Sequence, residues 1–267
     1  AKMEWQDIIP NDKYDWINQR DDLFEKFVPI NASKKFDSNS KSFFVTHSLG
    51  VATARDTWVY NFSQARLLSN MTSMIAIYNK NVDALSEARK QNSLFPCEAV
   101  MSTNASEIGW TRALKNDLNN LRYHQVVASN LRIAYYRPFM KSNLFFDRNF
   151  NDMVYQIPKL FPTPETQNLV ICVSGVGVTK DFSAIITDIT PDLELIGKSQ
   201  CFPLYYYERN VHFQPDLFQP QEGEYTRHDA ITDFIYDLCR GKYGFKTTKE
   251  DIFYYVYGLL HHPRYKE

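Results

Sequence analysis

Glycine is scarce in this chain, 9 residues of 267, and that scarcity argues against one large class of folds. Rossmann and P-loop cores need glycine wherever backbone closes on phosphate. The Gly-x-Gly at Gly175 and Gly177 follows an apolar run, but no third glycine completes a nucleotide loop, so it reads as a hairpin turn. Cys97, Cys172, Cys201 and Cys239 lie far apart with no Cys-x-x-Cys pair. That spacing suits neither zinc nor a disulfide framework, and predicts buried free thiols in a reducing compartment. No apolar run approaches the roughly 20 residues of a membrane span, and no secretion signal precedes Met3. A soluble cytoplasmic protein without a membrane partner is the expectation. Catalytic signatures are missing too. There is no Walker A lysine loop, no His-Glu-x-x-His and no Gly-x-Ser-x-Gly elbow. The Asn-Pro-Pro-Tyr or Asp-Pro-Pro-Tyr element that grips a flipped adenine is absent as well. His47, His124, His212 and His228 are scattered, and His261 and His262 read as a helix end. No catalytic residue, metal ligand or bound cofactor is therefore assigned to this fragment.

What is abundant is aromatic: 17 Tyr and 19 Phe within a 44% hydrophobic composition, enough for one large core or two small ones. The net charge of −1 conceals one asymmetry. Residues 112–148 hold seven Lys or Arg against two Asp, a local balance of +5. Inside that interval the chain alternates, with Arg132, Ala134 and Tyr136 on one side and Leu131, Ile133 and Tyr135 on the other. Pro138 then interrupts, and a second extended piece follows at 143–146. This pattern predicts a hairpin or two neighbouring strands at a sheet edge or bend, with cations at the turn. Charges there suit a polyanion, and they equally suit protection of an edge strand from aggregation.

Elsewhere the patterns are helical. Ser63 is placed to cap a helix from Gln64 to Tyr78 or beyond, with Leu67, Met71, Met74, Ile75 and Tyr78 on one face. Shorter helices are expected within 12–27 and over 111–128. Strands are expected at 43–45, 168–173, 182–187 and 200–207, and a polar loop at 214–225. Asp229 is a candidate cap for a helix reaching about Tyr243, and Thr248 opens a capping box for a helix ending near Leu260. The fold class is thus α+β: a helical N-terminal half, a central mostly antiparallel sheet over about 131–207, and C-terminal helices. The ending at 261–267 carries no closing signal and predicts a truncated C-terminus.

Several ordered motifs carry a resemblance. They are Asp15-Trp16-x-x-Gln19-Arg20-Asp21, Ser48-x-Gly50-Val51-x-Thr53-x-Arg55-Asp56-x-Trp58, Tyr136-Arg137-Pro138-Phe139, Tyr155-Gln156-x-Pro158, Gln200-Cys201-Phe202-Pro203-Leu204-Tyr205 and Asp251-Ile252-Phe253-x-Tyr255-Val256-Tyr257-Gly258. Together they resemble the C-terminal target-recognition region of Type ISP restriction-modification enzymes, of the kind often described as helicases. The resemblance spans nearly the whole chain. It implies a module that reads double-stranded DNA beside the methyltransferase and helicase-like domains of one polypeptide, whose parent would use S-adenosylmethionine, ATP and magnesium. It also implies a division into a mainly helical region at 1–130, a β-rich recognition core at 131–227 and a C-terminal helical region at 228–267. On that basis Arg122, Arg132, Arg137, Lys141, Arg148 and Lys159 are expected to follow phosphates. Asn143, Asn149, Asn151 and Gln156 are the candidates for base edges. The matched Arg55, Asp56 and Arg137 also admit a purely structural role, as a partly buried Arg–Asp pair. Two other readings stay open: a coupler that touches no DNA, and a fragment completing the methyltransferase fold.

Overall fold

A computed structural model describes residues 7–17, 24–31, 36–211, 213 and 223–266. The helix expected within 12–27 lies partly outside these residues. Among those described, that interval holds a 3₁₀ turn, Phe24–Lys26, and no longer helix.

In chain order the elements are β1 (Ser48–Leu49), α1 (Asp56–Val59), β2 (Tyr60–Asn61), α2 (Gln64–Gln91), α3 (Arg112–Asn119), β3 (Leu131–Arg137), β4 (Met140–Phe145) and α4 (Ile157–Leu160). Then come β5 (Val170–Val173), β6 (Ala184–Thr187), β7 (Thr190–Pro191), β8 (Gln200–Pro203), β9 (Tyr205–Arg209), β10 (Tyr225–Asp229), α5 (Asp233–Tyr243), α6 (Lys249–Leu260) and α7 (Pro263–Lys266). The architecture is mixed α and β, with helices toward both ends. The strands form two four-stranded sheets, β1-β8-β5-β6 and β2-β4-β3-β7, and the ribbon β10-β9. Among the strands of the described residues every pairing is antiparallel except β3 with β7. Residues 48–61 supply a strand to each of the larger sheets. The N-terminal half is therefore woven into the β core rather than stacked upon it.

Helix α2 begins where its cap predicts, the Ser63 hydroxyl accepting from the Arg66 amide. It runs well past Tyr78, burying Leu67, Met71, Met74, Tyr78, Val82 and Leu85 completely along one face. That face lies against β2 and β4. Helix α3, capped by Thr111, stops at Asn119, short of the expected Ala128. Leu121 adopts a left-handed φ of +54°, and the chain turns to lie on α2. There Asn79 exchanges hydrogen bonds with the His124 backbone at 2.8 and 3.1 Å. Strand β5 is buried throughout, as an apolar run between two partners should be. Cys172 and Cys201 face each other across β5 and β8, their Sγ atoms 3.7 Å apart as free thiols. Gly175 and Gly177 lie in the connection from β5 to β6. Helix α5 is capped by Thr232 rather than Asp229, which ends β10. Helix α6 has the capping box of Thr248 and Asp251. Among the described residues no helix is long and apolar enough to cross a membrane. Most of the loop expected at 214–225 lies outside them.

Candidate nucleic-acid interface

The predicted break at Pro138 is the turn of a hairpin. Strands β3 and β4 pair from Leu131 with Phe145 to Arg137 with Met140, leaving Pro138 and Phe139 as the two turn residues. The register shifts between Tyr135 and Arg137, so Tyr136 and Arg137 together oppose Met140. Such a bulge frees neighbouring side chains from strict alternation. Here it lets both reach the same oxygen. The Tyr136 hydroxyl and Arg137 Nη2 donate to Asp56 Oδ2 at 2.7 and 3.1 Å, with the guanidinium 3.9 Å above the Tyr136 ring.

Arg137 also donates Nη1 to Asp192 Oδ1 at 2.7 Å. The Tyr60 hydroxyl reaches Asp192 Oδ2 at 2.9 Å, and the Glu194 amide donates to Oδ1 at 2.8 Å. Thr53 donates to the other oxygen of Asp56. The Asp192 side chain is only 4% exposed. Burial pushes its carboxyl up to about 6 despite these donors, and burial beside Asp192 also raises the Tyr60 hydroxyl well above its ordinary range. One guanidinium thus bridges two carboxylates from distant segments and ties the hairpin's root to α1, β2 and the turn after β7. The same turn explains Gly50, where any Cβ would collide with the Asp192 carbonyl. The expected Arg–Asp pairing exists, but its arginine is Arg137. Arg55 turns away to the Gly109 carbonyl, and burial lowers its pKa to about 10.

Several candidate site residues are turned inward rather than fanned toward solvent. Arg132 donates to the carbonyls of Phe161 and Pro162 and lies 4.2 Å above the Phe146 ring. Burial there lowers its pKa to about 10. The Asn143 amide donates to the Asn61 and Phe62 carbonyls, both at 3.0 Å, joining β4 to β2. Asn151 is fully buried, accepting from the Asp147 amide at 3.1 Å and donating to the Phe145 carbonyl at 3.3 Å. These bonds satisfy backbone groups where the chain leaves regular structure, a need that sequence spacing does not reveal.

Others face outward. Lys141 and Arg148 are exposed and make no ion pair among the described residues. Lys159, also exposed, sits 5.3 Å from the Phe36 ring. Arg122 reaches Asp117 at 3.2 Å with its side chain 68% exposed. Asn149 is pinned through its backbone to Asp147 and Thr111, and Gln156 through its amide to Ser48. Both are half-buried.

Beside the β3–β4 hairpin runs a cleft of about 320 Å³, with Ile133 and Asn143 on one wall and Gln64, Thr163, Thr166 and Asp188 among its other lining residues. Sequence reading missed these last four, because they come from three separate segments that only the fold brings together. Their amide, hydroxyl and carboxylate groups offer hydrogen-bond donors and acceptors without a free cation, which suits the edge of a base better than a phosphate. Among the described residues no cluster of His, Cys, Asp or Glu is arranged to hold a metal. His124 serves packing, bonding Asp117 at 3.0 Å and contacting Tyr78 and Phe150.

A rigidly rooted basic hairpin beside a polar cleft defines a binding module. Residues 42–267 match the model of the Type ISP C-terminal specificity domain, and the chain belongs to that family. It is similar to a nuclease-deletion mutant of the Type ISP restriction-modification enzyme LlaGI in complex with a DNA substrate mimic. The identity is 30% over 99% of this chain and 18% of that one, with a TM-score of 0.75. It is also similar to the ATP-dependent Type ISP restriction-modification enzyme LlaBIII bound to DNA, with 30% identity over 98% of this chain and 15% of that one and a TM-score of 0.76. For a DrdV–DNA complex the values are 31%, 99%, 24% and 0.79. The chain therefore spans between 15% and 24% of the length of these proteins. No curated protein sequence matches it.

Proposed function

We propose that this chain is the module that reads a short site on double-stranded DNA within a larger restriction-modification polypeptide. It presents that site to neighbouring methyltransferase and helicase-like domains and carries no catalytic step itself. The observation that carries the reading is a hairpin whose root is clamped by Arg137, with Lys141 and the following Arg148 exposed, next to a cleft of amide, hydroxyl and carboxylate groups. Membership of the specificity-domain family, and three DNA-bound structures of similar proteins, support it. Lys141, Arg148 and Lys159, with Arg122 at the margin, follow phosphates. Gln156 and Asn149 face bases from the chain around α4. Arg132, Arg137, Asn143 and Asn151 shape the surface from beneath.

In this reading residues 131–227 carry recognition, 1–130 adjoin the methyltransferase, and 228–267 close the C-terminal side. Exposed apolar residues on the last helices, such as Leu238, Tyr255 and Leu259, fit contact with partner domains. The parent would work in the cytoplasm as an ATP-dependent enzyme with adenine methyltransferase activity, using S-adenosylmethionine, ATP and magnesium. The test is selection of duplexes by the chain from a randomised pool, followed by sequencing. Enrichment of one short asymmetric sequence is expected; a pool left flat after repeated rounds would contradict sequence reading.

A further inference from the structure

Beyond the clamped root, the hairpin tip is built in a way that gives nothing to the fold. Phe139 is 93% exposed and, among the described residues, packs against no other ring, while its backbone sits at φ +62°. Proline followed by a positive φ is the pattern of a type II turn, whose second central position ordinarily takes glycine or asparagine. A phenylalanine there bears backbone strain and exposes a large apolar surface at once, and glycine would relieve both. The tip is held in place all the same. The Phe139 amide donates to the Tyr135 hydroxyl at 3.2 Å, and Arg137, two residues back, is fixed by Asp56 and Asp192.

We propose that Phe139 is a wedge that inserts at a base-pair step and unstacks it. This rests on the DNA-reading role proposed above and adds a deformation of the duplex to it. The kind of partner follows from the tip's surroundings. Pro138 and Met140 extend the apolar point, and exposed Lys141 follows immediately. Arg132 and Arg137 are engaged within the fold, but residues 131–146 hold no acidic residue and leave Lys141 exposed without an ion pair among the described residues, so the tip suits a polyanion. An apolar side chain between bases, with a cation at the adjacent backbone, is how minor-groove proteins kink DNA. A wedge must resist the restoring force of the stack it opens. The ion-paired root, anchored in three other segments, supplies that stiffness.

The test uses the whole chain and duplexes of its selected sequence, each with a single 2-aminopurine at a different position. Fluorescence of this base is quenched by stacking, so binding should raise it several-fold at one step. Phe139→Gly should abolish the rise while its melting temperature stays at or above that of the parent, since the glycine suits the turn. Phe139→Trp should retain the rise. Phe139→Asn, which also tolerates a positive φ, repeats the test should the glycine variant melt lower. Duplex binding with no rise at any position, or a rise that persists in Phe139→Gly, would overturn the wedge and leave the DNA-reading role standing. An unchanged signal combined with lost activity of the complete polypeptide would assign the tip to a neighbouring domain, and likewise overturn it. Failure to bind any duplex would sink both readings.

Discussion

Asp192 shows how burial and pairing compete at a single carboxylate. Three donors hold it, yet removal from water dominates and raises its pKa from 3.8 to about 6. A group whose folded value is raised binds its proton more tightly in the folded chain. Its contribution to stability is therefore complete below about pH 4 and is lost as pH rises through about 6, by up to roughly 3 kcal/mol. Asp192→Asn removes that titration, so the variant should gain on the parent in chemical denaturation as pH is raised from 4 to 7. If the parent gains instead, attraction to Arg137 outweighs desolvation. This junction was only half legible in the sequence. Asp56, Arg55 and Arg137 all lie in motifs of the resemblance, but nothing in their spacing says which arginine pairs with Asp56. The actual partner is 81 residues away and is brought there by a bulge, for which no residue type is diagnostic.

At the scale of elements, legibility followed the length and strength of local signals. Helix α2 announced its start through Ser63 and its buried face through residues at helical spacing. Helix α6 did so through Thr248 and Asp251. The early end of α3 had no such signal, because its reversal uses a left-handed Leu121 where glycine or asparagine would have marked a stop. Strands β1 and β2, two residues each, are too short to show alternation, and they are the strands that tie residues 48–61 into both sheets. In α6, Gly258 leaves open space where a Cβ would stand. Gly258→Ala should therefore stabilise the chain by about 0.5–1 kcal/mol, read as a higher denaturation midpoint. Destabilisation would mean that the outer surface of α6 is crowded.

For the whole molecule, the expectation of helices flanking a mostly antiparallel β core agrees with the fold, and the β core is divided among two four-stranded sheets and a two-stranded ribbon. The basic interval at 112–148 was visible in the sequence, but charge density does not say where a guanidinium points. Arg132 and Arg137 are spent on the architecture of the hairpin, and Lys141 and Arg148 remain on its surface. The central claim is that this surface follows DNA phosphates, and a salt titration tests it most directly. Fluorescence anisotropy of a labelled duplex should give a log–log slope of affinity against salt that falls by about one for Lys141→Ala and again for Arg148→Ala. The weakening should be similar on any sequence, with both variants melting like the parent. If both variants bind with the parent's affinity and slope at every salt concentration, these cations only solvate the hairpin and the turn after it, and the DNA surface lies elsewhere.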